Sequence, residues 1–381
     1  MFTEGASDAT DELIGSLVDE RYKVLEAMAA GSMGAVYKAE RVPVGKIVAI
    51  KFLHASFAND PEFLARFERE TRVMSKLAHP NCVSVVDFGV WEGAPYLVME
   101  YVGGCTLRSI LDGGPVLPTR ALNLTRQISA GLAHAHTQGI VHRDVKPANI
   151  MISEEIGAGE HVRILDFGLA RLRGAVGRDA TQTNVVVGTP NYMAPEQTIG
   201  GGTIDARTDV YAVGVVLFEM IAGERPFHAE DTLALLGMHR AAPIPKLVDR
   251  VEHTVVLPVG LQDIVEKAMA KSPDDRYQSA IELAAAIDVL TGAKGTAAPI
   301  VVSSKKTNPV AIAPTMVDMS STRVDRSRPR RSSSSKAGAL LALLVLASGA
   351  SAAWYLKNRS ERASARGDQV AGGSGDLAQP G

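Results

Sequence analysis

The stretch IVHRDVKPANIMI, residues 140–152, sets a polar loop between two apolar runs, and three of its side chains are candidates for chemistry. These side chains are Asp144, Lys146 and Asn149, and they crowd into one short loop. Aspartate and asparagine oxygens are hard ligands suited to Mg²⁺, which usually shares its coordination shell with nucleotide phosphates. The composition of this loop therefore indicates chemistry on a phosphate.

A second loop with the same character follows in RILDFGLA, residues 163–170. Asp166 comes directly after the strand-like run Val162–Leu165 and precedes Phe167-Gly168. A carboxylate in this position is a further candidate ligand for Mg²⁺.

A lysine stands in the apolar strand VAIKFL, residues 48–53. Strand alternation puts Ala49 and Lys51 on one face of the sheet. The next predicted helix carries Glu70 on its buried face, where an unpaired carboxylate would be costly. We therefore expect a Lys51–Glu70 ion pair that holds the lysine for a phosphate. The alternative is an edge lysine with a packed stem and a solvated head.

Two glycines precede that strand in AAGSMGAVYKAE, residues 29–40. Gly31 and Gly34 allow a tight turn between two strands and a close approach of the backbone to a phosphate. Ordinary hairpin turn chemistry explains them equally well, so these two glycines do not distinguish the two interpretations.

The pattern of the chain predicts an α+β fold, with a small β-rich lobe followed by a larger helical lobe. The predicted strands cover residues 22–29, 35–40 and 47–53. The predicted helices begin at Asp60-Pro61, with a capping side chain before a proline, and continue at 121–137, 209–222 and 261–270.

Taken together, these segments resemble the eukaryotic-type (Hanks-type) serine/threonine protein kinases, in their bacterial transmembrane branch. The motifs appear in family order across residues 22–290: Ala29-x-Gly31-x-x-Gly34-x-Val36, VAIK at 48–51, Glu70, HRDVKPAN at 142–149, DFG at 166–168 and APE at 194–196. The resemblance implies a two-lobed protein kinase fold. Lys146 and the stretch GTPNYMAPEQ, with Thr189, match the serine/threonine branch.

Three further positions bear on this resemblance. Asp209 resembles the structural aspartate of the helix that follows APE. Arg276 resembles the late arginine that pairs with the APE glutamate, here Glu196. Ala29 departs from the family, which has a glycine there, and its methyl group lies near the implied ribose position and puts the affinity for ATP in question.

The resemblance implies ATP and Mg²⁺ as cofactors, with Mn²⁺ as an alternative ion, and protein substrates. The residues implied to bind ATP are Ala29, Gly31, Ser32, Met33, Gly34, Val36, Ala49, Lys51, Glu70, Met99, Glu100 and Val102. Those implied in catalysis are Asp144 as proton acceptor, Lys146 as a cation for the γ-phosphate, and Asn149. Asn149 and Asp166 are the implied metal ligands. A catalytically inactive kinase-like scaffold is the alternative function, but such proteins usually lack one of these lysine and aspartate residues.

Regulation is expected in the segment between Asp166 and Glu196. Arg143 precedes the catalytic aspartate, as in family members that are activated by phosphorylation of this segment. A phosphate on Thr181 or Thr183 would add negative charge that can pair with Arg143. We therefore expect autophosphorylation at both threonines, with a homodimer as the possible partner for reaction in trans. The alternative is that both are ordinary solvent-exposed residues.

Composition limits the remaining possibilities. The formal net charge of −2 gives no overall attraction to nucleic acid, and we expect no nucleic-acid partner. The two cysteines, Cys82 and Cys105, have no metal-ligand spacing and predict no disulfide framework. The acidic residues 1–21 lack the basic start and the apolar run of a signal peptide.

The C-terminal region predicts a membrane anchor. Residues 337–356 contain no charged side chain, and as a helix they would span about 30 Å, the thickness of the hydrocarbon layer. A polar, basic linker at 291–336 precedes this segment and a short tail at 357–381 follows it. We expect a single-pass protein of the cell membrane, with residues 22–290 in the cytoplasm and the tail outside. A buried core helix is the alternative.

Overall fold

The computed structural model describes residues 13–31, 33–155, 157, 159–167, 190–198, 202–252 and 254–292. The strands are Leu17–Val18 (β1), Tyr22–Gly31 (β2), Gly34–Arg41 (β3), Lys46–Leu53 (β4), Val85–Trp91 (β5), Ala94–Glu100 (β6), Cys105–Thr106 (β7), Ile150–Glu155 (β8) and Gly159–Ile164 (β9). The helices are Pro61–Met74 (α1), Leu107–Asp112 (α2), Pro118–Thr137 (α3), Ala206–Ala222 (α4), Thr232–Ala241 (α5), Leu261–Ala268 (α6) and Ala280–Thr291 (α7).

The N-terminal lobe is an antiparallel sheet with the order β1-β2-β3-β4-β6-β5, and α1 contacts its strand β5. Side chains alternate along β4, as the sequence predicts. Ile50 and Phe52 face one apolar cluster, whereas Leu53 belongs to the cluster that also contains Phe63 and Phe67 of α1. The sheet also includes β1, which lies before the predicted start of the domain at Tyr22.

Helix α1 begins as its sequence predicts. The Asp60 side chain accepts hydrogen bonds from the backbone N–H groups of Glu62 and Phe63, and Pro61 occupies the first helical turn. A capped and prolyl start of this kind satisfies N–H groups that the helix itself leaves without partners.

The C-terminal lobe is built around α4. Every residue from Thr208 to Ile221 is buried, so this helix is surrounded by protein on all sides. It contacts α3, α6 and α7, and a second small sheet, β7-β8-β9, lies over α3. The loop between α3 and β8 carries the polar residues quoted above, and the fold is therefore a two-lobed α+β architecture. No helix among the residues described is both long and apolar enough to span a bilayer. The predicted span 337–356 lies outside those residues.

One buried ion pair closes the C-terminal lobe. Arg276 donates to both carboxylate oxygens of Glu196 at 2.8 Å and also to the carbonyl oxygens of Ala270 and Lys271. Burial alone would raise the pKa of Glu196, but the hydrogen bonds and charge of Arg276 outweigh burial and hold this pKa below its ordinary value of 4.5. The Arg276–Glu196 pair predicted from the sequence is confirmed.

Loss of this pair should destabilise the domain strongly. Arg276→Met would leave the Glu196 carboxylate buried without its cation, and breaking a buried pair in this way costs about 3–5 kcal/mol. Arg240→Met, at an exposed position of α5, should change the free energy of unfolding by less than about 0.5 kcal/mol. Urea denaturation at neutral pH measures both values, and equal stabilities for the two variants would contradict this role of Arg276.

Candidate active site

The β2–β3 hairpin carries the two glycines that the sequence analysis singled out. Ala29 pairs with Val36, and Gly31 pairs with Gly34 at the tip. Gly34 has φ +144°, and a Cβ placed there would lie 1.8 Å from the backbone oxygen of Phe52 in β4. The close approach of β3 to β4 therefore requires glycine at position 34.

The hairpin tip is fixed through Met33. Its side chain is buried in the cluster that contains Leu53 and Phe63, and its carbonyl oxygen accepts from the backbone N–H of His54 at 3.0 Å. The sequence prediction placed Met33 over the phosphates. The structure shows that the Met33 side chain is part of the core, because an apolar side chain at this turn gains more from burial than from exposure. Ser32 lies outside the residues described.

Two of the residues expected around adenine are neighbours in the sheet. Ala49 and Met99 are directly opposed across β4 and β6, and both are 8% exposed, as is Val102. The Glu100 carboxylate accepts from the Arg163 guanidinium at 2.9 Å. This contact fixes the segment between the two lobes from the side of β9.

The lysine of β4 contacts a carboxylate different from the one predicted. Lys51 Nζ lies 2.6 Å from Asp166 Oδ2, and the expected ion pair with Glu70 is not formed. The side chain of Lys51 is only 8% exposed, so its charge pairs with the nearest carboxylate that can compensate it. Glu70 lies within 3.9 Å of Arg69 Nε on its own helix. The prediction of a Lys51–Glu70 pair is wrong for this conformation, because the position of α1 relative to β4 does not bring the two groups together.

The catalytic-loop candidates form one hydrogen-bonded group. Lys146 Nζ donates to Asp144 Oδ2 at 2.8 Å. The Asn149 side-chain nitrogen donates to the backbone oxygen of Asp144 at 2.8 Å and lies 3.3 Å from Asp144 Oδ2. A short 3₁₀ turn, Pro147–Asn149, holds these residues at this spacing. The structure therefore brings together the three residues that the sequence selected.

A buried carboxylate holds this loop in place. Asp209 accepts from the backbone N–H groups of His142 and Arg143, both at 2.8 Å, and lies 2.8 Å from His136 Nε2. Burial alone would raise the pKa of Asp209, but the hydrogen bonds and the two histidines hold it below its usual range. Arg143 has φ +69°, a left-handed conformation that a residue with a Cβ keeps only when its surroundings enforce it.

His142 joins the two polar loops. Its Nδ1 accepts from the backbone N–H of Asp144 at 3.2 Å, and its Nε2–H donates to the carbonyl oxygen of Leu165 at 2.8 Å. The backbone N–H of Leu165 in turn donates to the carbonyl oxygen of Asn149 at 2.9 Å. Asp166 therefore has a fixed position relative to Asp144.

The donor set fits a hard divalent cation. Because the Asn149 nitrogen faces Asp144, the amide oxygen is the atom left to ligate a cation. Asp166 offers a carboxylate directly after Leu165, whose backbone N–H donates to the Asn149 carbonyl. No group of three His, Cys, Asp or Glu side chains in the described part of the chain could hold a metal ion by itself. Further ligands for an ion held by Asn149 and Asp166 must then come from the nucleotide or from water.

Several contacts of this site were not anticipated from the sequence. They include the Arg163–Glu100 pair, the His136–Asp209 pair, and the hydrogen bonds of Glu219 with Arg108 and Tyr192. Glu219 did offer a signal, since it is the only charged residue in the apolar run 210–221 of α4 and must therefore have a partner. The expected sites Thr181 and Thr183, as well as Gly168 and Thr189, lie outside the residues described.

Residues 22–286 match the family described as the protein kinase domain, and the chain belongs to that family. It is 40% identical to the serine/threonine-protein kinase PknB of Mycolicibacterium smegmatis over 304 residues, covering 78% of this chain and 47% of that protein. It is 41% identical to PrkC of Bacillus subtilis over 276 residues, covering 72% of this chain and 41% of PrkC. The matched region thus spans less than half of these relatives.

A solved structure shows the same fold. The PknI kinase domain of Mycobacterium tuberculosis aligns with a TM-score of 0.55 and 27% identity, over 72% of this chain and 98% of that domain. The family and the two-lobed fold inferred from the motifs are confirmed.

The Gly34 position supports a test of the hairpin. In Gly34→Ala, the new methyl group would clash with the Phe52 carbonyl and force β3 away from β4, at a cost of about 1–3 kcal/mol. Gly31→Ala is the matched control, because a Cβ there meets nothing within 4 Å. Thermal denaturation should show a clearly lower midpoint for Gly34→Ala alone, and similar midpoints for both variants would contradict the close approach.

Proposed function

We propose that this protein is an ATP-dependent protein kinase that transfers the γ-phosphate to serine and threonine hydroxyls of proteins. The observation that carries this proposal is the grouping of Lys51 with Asp166 in one site, joined through His142 and Leu165 to the loop of Asp144. The named serine/threonine kinases among the relatives support the same activity. An inactive scaffold is disfavoured, because the lysine and both aspartates are present and positioned.

The geometry indicates what each side chain does. Asp144 orients the substrate hydroxyl and accepts its proton as the oxygen bonds to the γ-phosphorus. The bond between that phosphorus and the bridging oxygen breaks, and ADP leaves. Lys146 and Lys51 place positive charge beside the transferred group and the remaining phosphates. Mg²⁺ or Mn²⁺ held by Asn149 and Asp166 would offset the negative charge of the phosphates.

The proposed role of Asp144 has a direct test. Asp144→Asn should lower phosphate transfer from labelled ATP to the chain itself, and to a degenerate Ser/Thr peptide library, by about a hundredfold or more. Asp249→Asn, at an exposed position, is the matched control and should keep full activity. Unchanged denaturation midpoints would show that both variants are folded. Normal turnover by Asp144→Asn would contradict the assignment.

We also propose that the kinase phosphorylates its own Thr181 and Thr183, with one copy acting on another. The described residues support this through Arg143, whose backbone is anchored to Asp209 beside the catalytic loop. A phosphothreonine brings about −1.5 to −2 charges and strong acceptor oxygens to such a guanidinium.

The double variant Thr181→Ala/Thr183→Ala should lose most of its activity, because no phosphate could then order the segment on which the substrate docks. Mass spectrometry of the wild-type chain should find phosphate on one or both threonines, and none in Asp144→Asn. If the double variant is fully active, or if neither threonine of the active chain carries phosphate, this mode of activation is refuted.

Finally, we propose that residues 337–356 anchor the protein in the cell membrane with the kinase domain in the cytoplasm. Positions 323–336, directly before the span, hold six basic residues against four after it: Arg323, Arg326, Arg328, Arg330, Arg331 and Lys336 before, and Lys357, Arg359, Arg362 and Arg366 after. Positive flanks favour the cytoplasmic side, and the basic stretch is suited to contact with anionic headgroups.

Fractionation and reporter fusions test this topology. The full chain should sediment with membranes, whereas a chain ending at residue 336 should not, because the longest uncharged stretch is then removed. A C-terminal fusion should be active only with a reporter that works outside the cytoplasm. Activity only in the cytoplasm would reverse the orientation, and a soluble full chain would contradict the anchor.

A further inference from the structure

A charged cavity lies beside the catalytic loop. It has a volume of about 620 Å³ and is open to solvent. We refer to it as the flank cavity, and the charged or polar side chains that matter for its chemistry are Arg108, Lys146, Tyr192, Glu219, Glu224 and Arg225. Lys146 joins this cavity to the proposed reaction centre, because its ammonium group contacts Asp144.

Both carboxylates that line the flank cavity already have partners. Glu219 Oε1 accepts from Arg108 at 2.8 Å, and Glu219 Oε2 accepts from the Tyr192 hydroxyl at 2.6 Å. Glu224 forms an ion pair with Arg250. Burial raises the pKa of Tyr192, so this hydroxyl remains a donor over the working range of pH. The buried Glu219 is therefore already compensated, whereas Glu224 is 45% exposed and has a surface ion pair only.

One cation of the flank cavity, Arg225, has no carboxylate partner among the residues that the structure describes. Arg225 is half-buried, and it forms no ion pair or hydrogen bond with any residue in the described part of the chain. It also lines an adjoining cavity with His228 and Glu230, an exposed carboxylate that does not pair with it. A half-buried guanidinium without a partner offers five donors to an anion.

We infer that the flank cavity selects protein substrates with an anionic side chain close to the phosphorylated residue, and that Arg225 binds this anion. The inference rests on the proposed kinase function and specifies its substrate class. An acceptor hydroxyl at Asp144 lies next to Lys146, and each residue of an extended peptide advances by about 3.3 Å. The anionic side chain therefore lies within a few positions of the acceptor. A basic side chain in its place meets the positive charge of Arg225.

Peptides with one threonine test the inference. Each carries glutamate, glutamine, lysine or phosphoserine at one of the four positions on either side of the threonine, and the full-length kinase is assayed for kcat/KM. At one or two positions, the glutamate peptide should exceed the glutamine peptide by about three- to fivefold, and the lysine peptide should be the poorest. Phosphoserine above glutamate identifies a phosphate as the preferred anion, and equal values identify a carboxylate. Both results support an anion site in the flank cavity.

The variant Arg225→Gln should bring the glutamate-to-glutamine ratio close to one at those positions. Arg240→Gln removes the same charge at an exposed position outside the cavity and should keep the wild-type ratio. The inference is overturned if glutamate, glutamine and lysine peptides react equally at every position, or if the preference persists in Arg225→Gln. A wild-type chain that phosphorylates neither itself nor any peptide would overturn the proposed function as well.

Arg108→Gln provides a second, opposite test. Removal of this guanidinium exposes Glu219 Oε1 to the cavity, so the lysine peptide should gain relative to the glutamine peptide. If this variant fails to fold, the Arg225→Gln ratio still decides the question. A preference for lysine that is already present in the wild-type chain would contradict the assignment of Glu219 to Arg108.

Discussion

The Asp209 carboxylate supports the site more than any other single group. It is wholly buried, yet it accepts two backbone N–H groups of the catalytic loop and contacts His136. A buried charge of this kind is tolerated only when its acceptor capacity is filled. The two N–H groups and His136 compensate for the burial of the carboxylate, and the carboxylate in turn holds these groups in place. The left-handed backbone of Arg143, directly before Asp144, is held by this residue of α4 and by Gln197, whose side chain donates to the Arg143 carbonyl.

The two lobes meet through a second charge interaction. Lys51 comes from β4 and Asp166 from the chain just after β9. Their contact at 2.6 Å neutralises a lysine that is 8% exposed and a carboxylate that is 26% exposed. The same two side chains are those that a nucleotide phosphate and a cation would engage. Lys51 can therefore exchange the Asp166 carboxylate for a phosphate, and Asp166 can exchange the Lys51 ammonium for a cation. Neither exchange leaves a buried charge unpaired.

The sequence predicts local structure and motif geometry well here. The start of α1 at Asp60, the face of β4 that carries Lys51, and the Arg276–Glu196 pair all follow from spacing or side-chain chemistry. The partner of Lys51 could not be predicted in this way. Glu70 and Asp166 are both carboxylates at suitable places in the chain, and only the position of α1 relative to the sheet decides between them. That position depends on packing, which no local pattern encodes.

The substrate specificity of the flank cavity could not be predicted from local sequence either. Arg108 and Glu219 are 111 residues apart, so no short motif reveals that the guanidinium occupies this carboxylate. A carboxylate beside a catalytic loop would otherwise suggest a site for basic substrates. Once Glu219 and Glu224 are paired, the electrostatic character of the cavity is set by Arg225, and its sign is reversed. Which charge a substrate meets thus depends on which groups the protein has already neutralised, and only the three-dimensional contacts show that.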